Sequence, residues 1–213
     1  GFGTFAEYVS VHEDSLALKP ANTTFAEAAA IPLAGITALQ GLRDKARIKK
    51  KDKVLINGAS GGVGTYAVQI AKYFGAEVTA VCSTEKVNLV RSLGADHVID
   101  YKKEDFTQSD KKYDLIFAVN GYHHIRDYKR CLAPQGRYFM VGGKGKQMFQ
   151  AITMGPMLSK KGGQQLGYVT VKSNPTDLNL IKEMVESGQV KPVLDKGYPL
   201  REVTEAMRYL EEG

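Results

Sequence analysis

The chain has only two cysteines in 213 residues, Cys82 and Cys131. They lie far apart and form no CxxC pair, which excludes a disulfide scaffold and a cysteine-rich zinc site. Such sparse thiol usage suits a reducing compartment, and a cytoplasmic location is expected. Long apolar runs are also missing. The most apolar stretch, "FAEAAAIPLAGITALQGL", is interrupted by Glu27, Pro32 and Gln40 and is too short and broken for a membrane span. No secretory leader is legible. The chain opens on Gly1 rather than Met, so Gly1 need not be the natural first residue. Internal repeats and low-complexity linkers are absent. The glycine-rich stretch is not followed by Gly-Lys-Ser/Thr, which excludes a P-loop.

What is present is ordinary globular composition, 43% hydrophobic and 24% charged, enough for a core without disulfide or metal. The net charge is +6, and much of the excess sits in "RDKARIKKKDK", Arg43 to Lys53. No aromatic residue interleaves these lysines, so they read as a solvated helix end and loop rather than a nucleic-acid surface.

The order of apolar runs sets the fold class. "GFGTFAEYVSVHEDSLALKP" alternates in short pieces such as "EYVSV" and predicts strands and turns. "FAEAAAIPLAGITALQGL" has helical spacing broken by Pro32 and Gly35, with Thr23 or Thr24 able to cap its start. From Lys53 strands and helices alternate. "KVLIN", "EVTAVCS", "DHVIDY", "YDLIFAV" and "RYFMVGG" are strand-like. "GGVGTYAVQIAKYFG" puts Val63, Ala67, Ile70 and Ala71 on one helical face and stops at Gly75. "TEKVNLVRSLG" is a helix closed by Gly94, and "HIRDYKRCLAPQG" a helix and turn. The pattern predicts an α/β Rossmann fold, a doubly wound parallel sheet with helices on both faces. Near-continuous apolar strands fit a sheet covered on both sides. Beyond Gly145, "QMFQAITMGPMLSK" reads as a helix pair and "QLGYVTVK" as a strand. "PTDLNLIKEMVESGQV" and "REVTEAMRYLEEG" read as amphipathic helices.

The stretch "NGASGGVG" carries the chemistry. A strand, a glycine turn and a helix start present free backbone N–H groups, a ready phosphate site. Ala59, Gly61 and Gly64 have GxGxxG spacing with alanine first. Small residues there permit the tight turn, the approach of a pyrophosphate and close helix–strand packing. Ser60, Gly62 and Val63 complete the turn. A bare tight turn would show the same residues, but not the βαβ setting. About 20 residues on, a site for NAD places an acid against the ribose hydroxyls. Here, in "VCSTEK", Cys82 and Ser83 hold the likely position, with no acid there. Ser83 can hydrogen-bond a phosphate and Lys86 supplies charge. Tyr101 is placed to hydrogen-bond the same group or to cover the adenine. NADPH is the expected cofactor, although Lys86 alone would also read as a solvated helix residue.

The same stretch fits the GxxxGxG pattern of short-chain dehydrogenases through Gly58, Gly62 and Gly64. Those enzymes need a Tyr-xxx-Lys pair on a helix. Tyr168 and Lys172 have that spacing, but Val169, Thr170 and Val171 favour a strand, where i and i+4 do not meet as they do on a helix turn. More than 50 residues also precede the turn, whereas short-chain enzymes begin near it.

In order, "GTFAEYVSV", "AAIPLAGITALQGL", "KVLINGASGGVGTYAVQIAK", "VTAVCSTEK", "LGADHVIDY" and "GRYFMVGG" resemble the medium-chain dehydrogenase/reductases. The best match is their zinc-independent quinone oxidoreductase branch, including its reticulon-4-interacting-protein-like members. The resemblance covers nearly the whole chain. It implies a fragment: residues 1–22 end a mostly-β catalytic domain, 23–188 form the NADPH-binding domain, and 189–213 return to the catalytic domain. Zinc-dependent relatives carry a cysteine ligand where Leu33 opens Leu33-Ala34-Gly35-Ile36-Thr37, so no catalytic metal is expected. His123 and His124 are taken as polar turn residues. The implied reaction is hydride transfer from NADPH to a small-molecule quinone or α,β-unsaturated carbonyl. Thr37, Asn120 in the Val119-Asn120-Gly121 turn, and Val141 and Gly142 in the Val141-Gly142-Gly143 turn are the candidate orienting groups. Both turns follow strands, where open α/β sheets bind ligands. No catalytic residue is named; the proton comes from water or from a residue outside this chain. The resemblance also implies a homodimer, with "QLGYVTVK" as an edge able to pair across a two-fold axis.

Overall fold

The computed structural model describes residues 5–121, 123–142, 145–159 and 163–212. Six parallel strands form one sheet: β1 (Lys53–Asn57), β2 (Glu77–Cys82), β3 (His97–Asp100), β4 (Tyr113–Ala118), β5 (Leu132–Met140) and β6 (Gln165–Tyr168). Their order across the sheet is β3-β2-β1-β4-β5-β6. The chain therefore winds outward from β1 to one edge, then crosses back and winds outward to the other. The two directions part between β1 and β4.

Helices cover both faces, which explains the continuous apolar strands. Val54 and Ile56 of β1 and Leu115 and Phe117 of β4 face one core. Leu55, Ile116 and Ala118 face the other. The first core is closed by α2 (Pro32–Gln40), α3 (Gly62–Tyr73), α4 (Val87–Ser92) and α8 (Pro175–Glu186). The second is closed by α5 (Ile125–Cys131), α6 (Gly145–Thr153) and α7 (Gly155–Ser159).

Local chemistry sets the element ends. A capping box closes the start of α1 (Phe25–Ala29): the Thr24 side chain accepts from the Glu27 N–H, and Glu27 answers at the Thr24 N–H. Pro32 does not break a helix. It occupies the first turn of α2, where its missing N–H costs nothing. Gly35 lies inside α2, tight against Ile181 of α8. Gly75 (φ +77°) and Gly94 (φ +100°) follow the ends of α3 and α4, as the sequence suggests. A single π-helical turn, Gly41–Lys45, extends α2. Beyond it, the Asp177 carboxylate, nearly buried, takes bonds from Arg43, Gln40 and Asn174 at 2.7–2.8 Å and ties α2 to α8.

Three expectations change. The opening segment holds no strand among its described residues, only bends and a 3-10 turn at Glu13–Ser15. Its alternating apolar residues, Tyr8, Val9 and Val11, are exposed, and no strand of the sheet pairs with them. β5 begins at Leu132, earlier than "RYFMVGG", because Leu132 pairs with Tyr113 before the register jumps to Arg137 opposite Leu115. The extra residues form a bulge holding Pro134, which has no N–H to donate. Finally, β6 ends at Tyr168, so "VTVK" lies outside regular structure. The Tyr168–Lys172 spacing is therefore on no helix, and the short-chain reading loses its catalytic pair. Beyond α8 the chain runs irregularly from about residue 190 to a 3-10 turn (Leu200–Glu202) and α9 (Val203–Glu212).

Candidate functional site: a phosphate turn at the switch point of the sheet

β1 ends on Asn57, and the turn that follows is pinned to β2. The N–H groups of Gly58 and Ala59 both donate to the Val81 carbonyl, at 3.2 and 3.0 Å. Gly58 has φ +84°, and a Cβ there would lie 2.7 Å from the Asn120 nitrogen. α3 starts with Gly61 as its N-cap and no side-chain cap. The first closing bond runs from the Thr65 N–H to the Gly61 carbonyl at 2.9 Å. The N–H groups of Gly62, Val63 and Gly64 thus stand at an uncapped helix start.

The three small positions divide the work. A Cβ at Gly64 would lie 2.1 Å from the Gly58 carbonyl oxygen. That glycine lets helix and strand touch. A Cβ at Gly61 would meet only the Gly58 oxygen at 3.7 Å, and one at Gly62 would meet nothing within 4 Å. The space before those two residues is open to a ligand. Ala59 is fully buried and Ser60 half-buried.

The opposite wall comes from β4. The Val119 and Asn120 N–H groups both donate to the Asn57 carbonyl, at 2.9 and 3.2 Å. Asn120 Oδ1 accepts from the Gly121 N–H, and Gly121 has φ +90°. The buried Asn57 side chain donates to the Tyr128 hydroxyl at 2.9 Å, and that hydroxyl donates to the Gly121 carbonyl at 3.3 Å. Tyr128, fully buried on α5, therefore ties the ends of β1 and β4 together. From β5, the Val141 N–H bonds the Ala118 carbonyl at 2.8 Å, and Gly142 packs so that a Cβ would lie 3.0 Å from the Val119 oxygen. Ala59–Gly64, Asn120, Val141 and Gly142 share the carboxyl ends of β1, β4 and β5. Gly143 lies outside the described residues. Thr37 is buried on α2, which packs against α3, and its hydroxyl donates to the Leu33 carbonyl at 2.6 Å.

The β2 end is built from charged side chains, mostly within reach of water, with Asp100 buried among them. Ser83 precedes a 3-10 turn, Thr84–Lys86, and its carbonyl accepts from the Lys86 N–H. The Tyr101 N–H bonds the Cys82 carbonyl at 3.1 Å, and its ring is 60% exposed. Ser83 and Tyr101 thus flank one strand end. Lys86 Nζ lies 3.2 Å from Asp195. Lys102 lies 2.8 Å from Glu85 and holds that carboxyl at about 2, helped by the Glu85 N–H and Ser83. Asp100, the last residue of β3, stands opposite Cys82. It is already engaged: it accepts from the Thr84 hydroxyl at 2.6 Å and the Lys102 N–H at 3.0 Å, and it pairs with Lys103. The Thr84 bond foremost holds its carboxyl below the usual value.

The histidines are structural. His124 Nδ1 caps α5 by accepting from the Arg126 N–H at 3.2 Å. The His123 ring stands edge-on to Phe106 and Tyr128. Sequence reasoning missed Asn57, Tyr128 and Asp195. A polar residue closing the apolar strand "KVLIN" was the one available signal; nothing local marks Tyr128 or Asp195.

Together, the strand order, the glycine turn at the β1/β4 switch point and the uncapped helix start define a Rossmann-like α/β fold. The zinc-binding dehydrogenase family profile matches residues 93–213. The chain belongs to this family, within the medium-chain dehydrogenase/reductases. It is 40% identical to an NADPH-dependent alkenal/one oxidoreductase, chloroplastic, of Arabidopsis thaliana, over 99% of this chain and 50% of that protein. It is 35% identical to the chloroplast envelope quinone oxidoreductase homolog of the same plant, over 97% of this chain and 64% of that one. A crystal structure described as an NAD-dependent alcohol dehydrogenase superposes with a TM-score of 0.85 at 34% identity, covering 99% of this chain and 62% of the other. The chain thus spans about half to just under two thirds of the length of these relatives. No helix among the described residues is long and apolar enough to cross a membrane.

Proposed function

We propose that this chain is the cofactor half of an NADPH-dependent reductase acting on a small-molecule α,β-unsaturated carbonyl or quinone. The observation that carries the cofactor is the last position of β2 and the one after it, where Cys82 and Ser83 stand instead of an acid. Ser83, Lys86 and Tyr101 stand there, and Asp100 is bound up with Thr84, Lys102 and Lys103. The open face of Gly61 and Gly62 fits a pyrophosphate, and the N–H groups of Gly62, Val63 and Gly64 supply donors without a competing cap. The named activities of the two plant relatives support the acceptor class.

When bound, the nicotinamide supplies a hydride from its C4. This chain's part is positioning. The glycine turn, with Ala59 and Ser60, holds the phosphates. Asn120, Val141 and Gly142 line the strand ends beyond it, and Thr37, on α2 packed against α3, keeps its hydroxyl oxygen as an acceptor. Holding the reacting atoms in line is worth several orders of magnitude in rate. Leu33, 76% exposed, occupies the place of a zinc-ligating cysteine, and its hydrocarbon side chain cannot coordinate a metal. The reading is therefore zinc-independent.

Residues 1–22 and 189–213 are assigned to a catalytic domain, and 23–188 to the cofactor domain. The exposed Phe5, Tyr8, Leu18, Phe25 and Leu210 support this, since a partner domain would cover them. β6, an edge strand, is the proposed contact of a homodimer. The two free, buried cysteines suit a cytoplasmic setting.

The test uses the full-length protein with NADPH and a panel of alkenals, enones and quinones, following nicotinamide absorbance. Turnover with at least one acceptor is expected. Binding of NADPH with no consumption across the panel would instead mark a cofactor-sensing protein. Tighter binding of NADH than of NADPH would overturn the cofactor assignment.

A further inference from the structure

Lys86 is already engaged at the β2 end. Its Nζ sits 3.2 Å from Asp195 Oδ1, on the irregular segment between α8 and the Leu200–Glu202 turn. Asp195 is braced from its other oxygen, where the Tyr209 hydroxyl of α9 donates to Oδ2 at 2.5 Å. The next residue, Lys196, lies over the rings of Tyr198 and Tyr209, at 4.6 and 5.4 Å from their centroids. Asp195 and Lys196 are thus both held against Tyr209, and the Asp195 carboxylate is presented to Lys86. The Tyr209 bond first, then Lys86, hold that carboxyl below the usual aspartate value. Two further ion pairs stand near this strand end, Lys102 with Glu85 and Lys103 with Asp100.

We propose that Asp195 competes with the 2′-phosphate of NADPH for Lys86, and so sets how strongly the chain separates NADPH from NADH. The inference rests on the NADPH reading above. A phosphomonoester carries close to two negative charges at neutral pH, against one for the carboxylate. An exposed ion pair is weak, so the phosphate wins the lysine. The exchange still subtracts from the binding of NADPH and leaves that of NADH untouched. Asp195 is then a specificity-determining residue that never meets the reacting atoms. It reaches the site from the segment that follows the whole sheet.

Equilibrium titrations with NADPH and NADH at fixed ionic strength test this, on the unaltered protein, Asp195→Asn, Lys86→Gln and the double variant. Thermal melts confirm folding. Asp195→Asn is expected to tighten NADPH about three- to fivefold and to leave NADH within about twofold. Lys86→Gln should weaken NADPH, and in that background Asp195→Asn should no longer tighten it. If Lys86→Gln leaves NADPH unchanged, the phosphate reading itself fails. If Lys86→Gln weakens NADPH but Asp195→Asn does not tighten it, the reading stands and the competition is overturned. Equal tightening in both backgrounds would mean simple repulsion and would overturn it as well.

Discussion

The two ends of the crevice are built on different principles. At the glycine turn, position is fixed by shape: backbone meets backbone, and at Gly58 or Gly64 a single methyl group would drive atoms together. At the β2 end, position is fixed by exchangeable charge, on side chains that water reaches. The first kind of site tolerates almost no substitution but needs no particular ionic condition. The second tolerates substitution and responds to salt and pH. A fold can therefore keep its phosphate turn constant while its preference between the two nicotinamide cofactors changes cheaply.

The strongest way to break the contrast is Gly64→Ala. With a Cβ 2.1 Å from the Gly58 oxygen, α3 must lift off β1. A loss of about 3 kcal/mol is expected, with cofactor binding abolished, read by urea unfolding and titration. Tyr128→Phe comes next. It strands the buried Asn57 side chain, and about 1–3 kcal/mol should be lost, with weaker binding because the β1 and β4 ends are no longer tied. A variant as stable as the parent would show that the tie is dispensable.

Gly61→Ala sharpens the comparison. Its φ of −80° suits any residue, and its Cβ would find ordinary contact. Stability should change by less than about 1 kcal/mol, while NADPH and NADH both weaken on the order of tenfold as the methyl blocks the pyrophosphate. Equal loss of stability and affinity would contradict the division of labour among the glycines.

The smallest effect belongs to pH at the charged end. The Asp195 and Asp100 carboxyls titrate below their unfolded counterparts, chiefly through the Tyr209 and Thr84 hydroxyls. Their contribution to stability is therefore complete above the unfolded value of about 3.9 and fades as pH falls through the lowered folded values. Between about pH 5 and 8 these groups stay charged. Any fall in the NADPH:NADH affinity ratio toward the acid end of that window follows protonation of the phosphate, whose second ionisation lies near 6. A few-fold narrowing is expected; a ratio that widens instead would mean that the protein groups, not the ligand, are titrating.

Much of this was legible in the chain. β1 to β4, α3 and α4 follow apolar periodicity and glycine stops, which are local properties. The helix pair at α6 and α7 was read correctly for the same reason. "EYVSV" was misread because alternation predicts a strand only where a neighbour exists to bond it, and no local residue reports the neighbour. The start of β5 was missed because Leu132 pairs across a bulge that Pro134 and Gly136 disguise as a turn. At the site, the glycines were legible from spacing. Tyr128 and Asp195 were not, because they reach Asn57 and Lys86 across 71 and 109 residues of chain. Spacing shows where a glycine turn leaves backbone N–H groups open. Folding alone shows which side chains stand beside it.

The strand order also carries a consequence for how the site is assembled in time. β1 meets β2 after a single helix, but it meets β4 only when residues 61 apart come together, as in the bond from the Lys53 N–H to Asp114. Contacts that far apart close late. The donors of the glycine turn belong to the early half, and Asn120 and Gly121 to the late one. The two walls of the crevice thus form one unit only once β1 and β4 have paired. A ligand that held both walls would favour that pairing, since it would stabilise only the completed sheet.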